Sequence, residues 1–173
     1  FRFGIQLRGV HEIASSGFTA DTAAMYERSR PAYPDEAVNY IKEIITATTL
    51  RSNEQENDNK INVVEIGAGT GIFTRCFFNN NESIDKYNYI ATEPSEGFRA
   101  ILEKNPPKGV SKVISATGSS IPVDDNSIDG IIVAQAFHWM ASDDTINEFH
   151  RILKKENNQT PTPGRVSLIW NQM

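Results

Sequence analysis

A glycine-rich turn after a β-branched run is the strongest chemical signal in this 173-residue sequence. The run from Val63 to Ile66 contains Glu65 and leads into Gly67-Ala68-Gly69-Thr70-Gly71. Glycines allow positive φ angles and a close approach of the backbone to a ligand, and the start of a helix offers free N–H groups. The G-x-G-x-G spacing differs from the G-x-G-x-x-G of dinucleotide-binding proteins. Glu65 would repel a pyrophosphate but would suit a ligand that carries an ammonium group.

A second carboxylate, Glu93, ends the next strand-like run, which extends from Tyr87 to Thr92. It lies roughly 20 residues after the glycine turn, the spacing of the ribose-binding acid in Rossmann-like units. A carboxylate there can accept hydrogen bonds from both ribose hydroxyls. The alternative is that Glu93 caps the following helix, but the strand end, the spacing and the glycine turn together favour ribose binding.

A third candidate group, residues 135–139, follows another apolar run and reads Gln135-Ala136-Phe137-His138-Trp139. A histidine can exchange a proton near neutral pH, so His138 is a candidate general base. A substrate contact or a structural role for His138 is the alternative. Phe137 and Trp139 could hold a cation against their ring faces, or could pack in the core.

Strand-like and helix-like segments alternate from Ile61 onward. The patterns predict strands at 61–66, 87–92, 110–116, 128–134 and 165–170, and helices at 71–79, 95–104 and 143–155, the last opened by acidic capping residues. Such alternation predicts an α/β fold, a Rossmann-like, doubly wound and mostly parallel sheet with helices on both faces. Ligands of these sheets bind beyond the carboxyl ends of the strands, where the candidate residues lie.

The N-terminal residues 1–60 are expected to form a helical cap or lid followed by a polar linker, and residues 61–173 the ligand-binding core of one structural domain. Helices are predicted at 22–29 and 34–47, with the extended, proline-containing segment 30–34 between them.

Composition excludes several classes of function. The net charge of -5 and the pI near 5.2 argue against nucleic acid or an anionic membrane as the main partner. No apolar run is long enough to span a bilayer. The single cysteine, Cys76, favours a reducing compartment, and we expect a cytoplasmic protein. His11 and His150 have no ligand-type neighbours in sequence, so no metal site is expected.

Taken together, these motifs resemble the class I S-adenosylmethionine-dependent methyltransferases, in particular the small-molecule branch (methyltransferase type 11) that includes relatives of trans-aconitate methyltransferase. The resemblance extends from Gly17 to Asn171. Besides the glycine turn and Glu93, it rests on segments 121–129, 134–139, 149–154 and 163–165, and on Tyr26 with Arg30-Pro31-Ala32-Tyr33-Pro34.

The resemblance implies S-adenosylmethionine as cofactor and S-adenosylhomocysteine as product. Glu65 would hold the amino group directly or through water, and the glycine turn would surround the methionine part. The remaining implied cofactor residues are Glu93 and Pro94 at the ribose, Thr117, Gly118 and Ser119 at the adenine, and Gln135, Ala136, Phe137 and Tyr26. Relatives often have an acid at the position of Ser119, so weaker cofactor binding is expected.

The resemblance also implies a lid formed by the N-terminal segment and a substrate site that includes Arg30, Tyr33, His138 and Trp139. Arg30 could pair with a carboxylate of substrate or cofactor, or with Asp35 or Glu36. Tyr26 could donate its hydroxyl.

The expected reaction is methyl transfer to an oxygen or nitrogen of a small molecule, for which an acid is one candidate. A non-catalytic or truncated cofactor-binding domain is the first alternative, since relatives have seven strands and strands 6 and 7 are not found in this sequence. An NAD-dependent oxidoreductase is disfavoured by the glycine spacing and Glu65. The acceptor and the oligomeric state stay open.

Overall fold

The computed structural model of the chain describes Glu27 and residues 30–49, 60–79, 84–156 and 162–171. These residues form one five-stranded sheet with the order β3-β2-β1-β4-β5, in which every neighbouring pair is parallel. The elements are β1 Ile61–Ile66, β2 Tyr87–Thr92, β3 Val110–Ile114, β4 Gly130–Ala134 and β5 Arg165–Ile169, with helices α1 Asp35–Thr49, α2 Ile72–Phe77, α3 Glu96–Lys104 and α4 Asp143–Ile152. The predicted Rossmann-like α/β class is confirmed.

The sheet is covered on both faces, which explains why β4 is apolar without alternation. All five residues of β4 are buried. On one face, Ile45 of α1 and Phe73 of α2 belong to the cluster that contains Val63 and Ile132. On the other face, the α4 side chains pack with alternate strand residues in a second cluster: Phe149 and Ile152 with Val64, Ile131 and Val133.

The ends of several elements differ from the sequence pattern. β4 begins at Gly130 because Ile128 hydrogen-bonds instead to the end of α4, donating its N–H to the carbonyl of Ile152 at 2.9 Å. The predicted acidic cap of α4 is wrong. Ser142 is the N-cap, and its hydroxyl accepts the N–H of Thr145 at 3.2 Å.

The N-terminal predictions are only partly within the described residues. The helix predicted at 34–47 is α1, and Pro31 to Pro34 is non-helical, as its prolines require. Of the helix predicted at 22–29 only Glu27 is described, and of the linker only Lys60. The division of the chain at residue 60 stays a prediction. The described residues show no strand beyond β5.

Aromatic packing joins α2 to the sheet. The ring centroid of Phe77 lies 4.9 Å from Tyr89, 5.1 Å from Tyr87 and 5.1 Å from Phe78. The ammonium group of Lys42, on α1, lies 5.0 Å above the same ring. Since α2 directly follows the glycine turn, this cluster fixes the helix on which the turn rests.

Phe77→Ala is expected to lower the free energy of unfolding by about 3–5 kcal/mol, because it leaves a cavity among buried rings. Phe77→Leu, which keeps more volume, should cost about 1–2 kcal/mol. Urea denaturation followed by circular dichroism measures both. The control is Tyr40→Ala on the 64%-exposed side chain of α1, with an expected change below about 0.5 kcal/mol. Equal losses in Phe77→Ala and Tyr40→Ala would contradict this account of the core.

Candidate functional site

A cavity of about 410 Å³ opens at the carboxyl ends of the strands, where the strand order reverses between β1 and β4. This volume is within the range of small-molecule sites. Eleven of the predicted residues line it: Gly67, Gly69, Glu93, Pro94, Thr117, Gly118, Gln135, Ala136, His138, Trp139 and Arg30.

Five apolar residues that the sequence analysis missed complete the lining: Ile66, Phe98, Ala116, Ala134 and Met140. Ile66 and Ala134 are the last residues of two neighbouring strands, so their strand-end position could have identified them. Phe98 and Met140 carry no chemical signal in the sequence. They make the cavity wall largely hydrophobic.

The glycine turn has the backbone that only glycine adopts easily. Gly67, Gly69 and Gly71 have φ angles of 71°, 59° and 90°. A Cβ atom on Gly67 would lie 2.6 Å from the Cβ of Ala136, so this glycine allows the loops after β1 and β4 to touch. A Cβ on Gly69 would meet no atom within 4 Å. Gly69 therefore leaves open space beside the cavity.

The rest of the turn supports the site without lining it. Ala68 and Thr70 are buried, and Gly71 packs against Leu102 of α3, where an added Cβ would lie 2.5 Å from a leucine methyl group. Arg75 of α2 donates to the carbonyl of Thr70 at 3.0 Å and also pairs with Glu27. These contacts hold the glycine turn against α2 and α3.

Glu93 is buried but lines the cavity, and its two carboxylate oxygens accept backbone hydrogen bonds from two different loops. One oxygen accepts the N–H of Gly69 at 2.9 Å and the other the N–H of Ser95 at 2.8 Å. Burial raises the pKa of Glu93, and the two N–H donors oppose this effect. The capping contact weighed as an alternative is therefore present, through Ser95, together with a position in the cavity wall.

Glu65 is fully buried and does not line the cavity. One oxygen accepts the hydroxyl of Thr74 at 2.6 Å and that of Tyr89 at 2.8 Å. Among the described residues the other oxygen, Oε1, has no hydrogen-bond partner. Burial, the largest cause, raises the pKa of Glu65 to about 7. Near neutral pH this carboxyl group is therefore divided between its acid and ionised forms.

The third wall is a tight turn after β3. Thr117 and Gly118 line the cavity, whereas Ser119 is exposed and does not. A Cβ on Gly118 would lie 2.6 Å from the sulfur of Met140, so the turn packs closely on the loop after β4.

The loop after β4 divides its aromatic residues between core and cavity. Gln135, with φ of 57°, donates through Nε2 to the carbonyl of Asn171 after β5 at 3.1 Å. Phe137 does not line the cavity, and its ring lies 6.4 Å from that of Phe149, which fits the core-packing alternative. His138 and Trp139 both line the cavity, with ring centroids 5.0 Å apart.

The N-terminal segment reaches the cavity through Arg30. Tyr33 is buried and does not line the cavity. Its ring lies edge-on to that of Phe73, at a centroid distance of 5.1 Å. Tyr26 lies outside the described residues.

Two kinds of feature are absent from the described part of the chain. It contains no group of three or more histidine, cysteine, aspartate or glutamate side chains able to hold a metal ion. None of its helices combines the length and apolar character needed to cross a membrane.

Comparison with known proteins identifies the family. A family model described as a methyltransferase domain matches residues 64–157, just over half of the chain. The chain belongs to this methyltransferase family. Its fold and motifs are those of the class I S-adenosylmethionine-dependent enzymes.

Curated relatives of this methyltransferase domain carry the word methyltransferase in their names but are uncharacterized. One from Mycobacterium tuberculosis is 32% identical over 146 residues, which is 84% of this chain and 49% of the relative. One from Schizosaccharomyces pombe is 31% identical over 157 residues, which is 89% of this chain and 51% of the relative. The chain spans about half the length of these curated relatives.

Solved structures share the fold. A putative S-adenosylmethionine-dependent methyltransferase from Methanococcus maripaludis aligns with a TM-score of 0.54 at 17% identity, over 88% of this chain and 64% of that one. The YcgJ protein of Bacillus subtilis aligns with a TM-score of 0.52 at 20% identity, over 78% of this chain and 50% of that one.

The raised pKa of Glu65 predicts a distinct pH dependence of stability. In the unfolded chain this carboxyl group ionises near its ordinary pKa of 4.5, whereas in the folded protein it ionises near 7. The unfolded state therefore binds fewer protons between these values, and the contribution of Glu65 to stability, full below pH 4.5, is lost as the pH rises to about 7. The loss amounts to about 3 kcal/mol.

Glu65→Gln removes this ionisation while keeping a side chain of the same shape. The difference in unfolding free energy between the wild type and Glu65→Gln, measured by urea denaturation from pH 4 to 8, should shift by about 3 kcal/mol in favour of the variant. The carboxyl groups of Glu93 and Glu148 are present in both proteins and largely cancel. A difference that does not change with pH would contradict the assignment.

Proposed function

We propose that this domain binds S-adenosylmethionine in the cavity and transfers its methyl group to an oxygen or nitrogen of a small acceptor. The observation that carries the proposal is the meeting of three loops at one cavity: the glycine turn, Glu93 after β2, and residues 135–139 after β4. Family membership supports the cofactor. The chain spans only about half the length of its curated relatives, so methyl transfer by the whole protein is part of this proposal.

The lining suggests how the cofactor would lie. Gly67 and Gly69 would face the methionine part, and Glu93 would accept the ribose hydroxyls. Thr117 and Gly118 would border the adenine, with the apolar ring of Phe98 nearby in the lining. These assignments follow the predicted roles at positions that line the cavity.

The position of Glu65 favours only one of the two contacts with the cofactor that the sequence suggested. Its carboxyl group is buried and absent from the cavity wall, and its Oε1 atom has no hydrogen-bond partner among the described residues. A buried oxygen without a partner costs free energy, so a water molecule bound there is favourable. We therefore favour contact with the cofactor's amino group through water over direct contact.

Bound S-adenosylmethionine would supply a methyl group on a sulfonium centre, which is a good leaving group without help from the protein. The residues of the chain then act mainly by orientation and by exclusion of water. Trp139 is 41% exposed and lies with His138 in the cavity lining, where the two rings would border the acceptor. His138 would accept a proton if the acceptor must lose one, and a carboxylate acceptor needs no base.

An acidic acceptor is one candidate because Arg30 lines the cavity. A guanidinium group can bind a carboxylate through two parallel hydrogen bonds. Pairing of Arg30 with Asp35 or Glu36 is the alternative. A cytoplasmic location stays a prediction.

Isothermal titration with S-adenosylmethionine, S-adenosylhomocysteine and NADH tests the cofactor. Both sulfur ligands are expected to bind, and NADH is not. Mass spectrometry after incubation with S-adenosylmethionine and a panel of small carboxylic acids, phenols and amines should then show an acceptor heavier by one methylene group. Binding without transfer to any acceptor would favour the non-catalytic alternative, and binding of NADH alone would refute the proposal.

Gly69→Asn tests the glycine turn. Asparagine tolerates the positive φ angle of this position, and its Cβ would meet no protein atom within 4 Å, so the fold should persist. The side chain would occupy space that the ligand needs, and the dissociation constant for S-adenosylhomocysteine is expected to rise by at least about tenfold. Thermal unfolding without ligand provides the control. Unchanged affinity in a folded variant would refute the assignment of the turn to the cofactor.

A further inference from the structure

One ion pair on α4 holds both backbone polar groups of a single residue, Ile121. Oε1 of Glu148 accepts the N–H of Ile121 at 2.7 Å. Nη2 of Arg151 donates to the carbonyl of the same residue at 2.9 Å. The two side chains also bind each other through two hydrogen bonds, Nε to Oε2 at 2.7 Å and Nη2 to Oε1 at 2.8 Å. Ile121 is thus clamped to α4 by a bidentate ion pair.

The same guanidinium group extends the attachment along the chain. Nη1 of Arg151 donates to the carbonyl of Val123 at 2.9 Å and to the carboxylate of Asp125 at 2.6 Å. The backbone carbonyl of Arg151 accepts the N–H of Asn126 at 2.9 Å. The segment from Ile121 to Asn126 therefore follows α4 rather than the sheet.

Ile121 directly follows the turn that forms the third wall of the cavity. In this turn Ser120 donates its N–H to the carbonyl of Thr117 at 3.2 Å, and the hydroxyls of Thr117 and Ser119 lie 3.3 Å apart. These hydrogen bonds give the turn its shape but join it to no other element. Its position relative to the cavity is set by β3 at one end, by Ile121 at the other, and by the packing of Gly118 on Met140.

The ion pair is suited to hold this position firmly. The side chain of Glu148 is only 10% exposed and that of Arg151 34%, so solvent screens the pair less than it screens a fully exposed one. Hydrogen bonding from Arg151 lowers the pKa of Glu148. The carboxylate therefore stays ionised throughout the neutral range.

We propose that Glu148 and Arg151 are positioning residues that set the Thr117–Gly118 wall against the adenine ring, and that they determine how well the domain distinguishes adenine from other purines. This inference rests on the proposed function, in which that wall borders the adenine. Neither side chain lines the cavity, so both act through Ile121.

The experiment compares two ligands that differ only at the adenine edge, S-adenosylhomocysteine and S-inosylhomocysteine, in which a carbonyl replaces the amino group. The wild type is expected to prefer the adenosyl ligand. Glu148→Ala removes the acceptor of the Ile121 N–H and the partner of Arg151. We expect about tenfold weaker binding of S-adenosylhomocysteine, less than about threefold weaker binding of the inosyl ligand, and a loss of most of the preference.

Glu148→Gln is the conservative variant. Its side-chain carbonyl can still accept the N–H of Ile121, so it should keep most of the affinity and of the preference. Asp125→Asn changes the 68%-exposed partner of Arg151 and should alter both dissociation constants by less than about twofold. These two variants separate the contact with Ile121 from the charge around it.

Lys154→Gln is the matched control for a loss of stability. Lys154 follows α4 and pairs at 2.8 Å with the buried carboxylate of Asp129, at the opposite end of the sheet from the cavity. This variant should unfold more easily, yet the ratio of the two affinities should not change. Unfolding midpoints of all variants are measured without ligand.

Three outcomes overturn the inference without refuting the proposed function. Two of them are a wild type that binds both ligands equally well and a Glu148→Ala variant that is folded and keeps the wild-type ratio. A wild type that binds neither ligand would instead refute the proposed function, and with it the inference. If Lys154→Gln and Glu148→Ala change the ratio to the same extent, the effect reflects stability alone, and the positioning role is wrong.

Discussion

The site depends on the hydrogen bonds of the Glu93 carboxylate, because they join the loops after β1 and β2 at the cavity. It accepts one N–H from the glycine turn after β1 and one from Ser95 at the start of α3. The backbone adds a parallel link, in which Ala68 donates its N–H to the carbonyl of Thr92 at 2.9 Å. Each carboxylate oxygen has a second lone pair. Glu93 can therefore keep both loops together and still accept two ligand hydroxyls.

Close packing of loops on the other side of the cavity imposes a second constraint. The glycine turn touches the loop after β4 at Ala136, and the turn after β3 touches the same loop at Met140. Both contacts exist only because Gly67 and Gly118 have no side chain. The loop after β4 thus lies between two glycine contacts, and its polar residues cannot move far without displacing a wall. In this site, glycine is needed for the close approach of one loop to another as much as for unusual backbone angles.

The sequence predicted what local patterns determine. Periodicity and spacing predict the order of strands and helices, the strands β1 and β2, and the positions of Glu93 directly after β2 and of His138 in the loop after β4. The fold agrees with these predictions. Periodicity could not tell which side of a loop faces the cavity. Phe137 and Trp139, two residues apart, go to the core and to the cavity respectively, because packing against Phe149 decides the first. No local pattern predicts the attachment of Ile121 to α4, because it joins residues 27 positions apart.

The two acids of the site show why residue type alone does not define a role. Glu65 and Glu93 lie at the ends of neighbouring strands beside the glycine turn, and the sequence analysis predicted both as cofactor-binding residues. In the fold both are buried. Hydroxyl groups surround Glu65, and a hydroxyl can donate to an ionised carboxylate or accept from a protonated one. Backbone N–H groups surround Glu93, and they can only donate, which favours its ionised form. The donors around Glu93 therefore oppose the rise in its pKa that burial causes, whereas Glu65, whose pKa burial raises to about 7, can carry a proton near neutral pH.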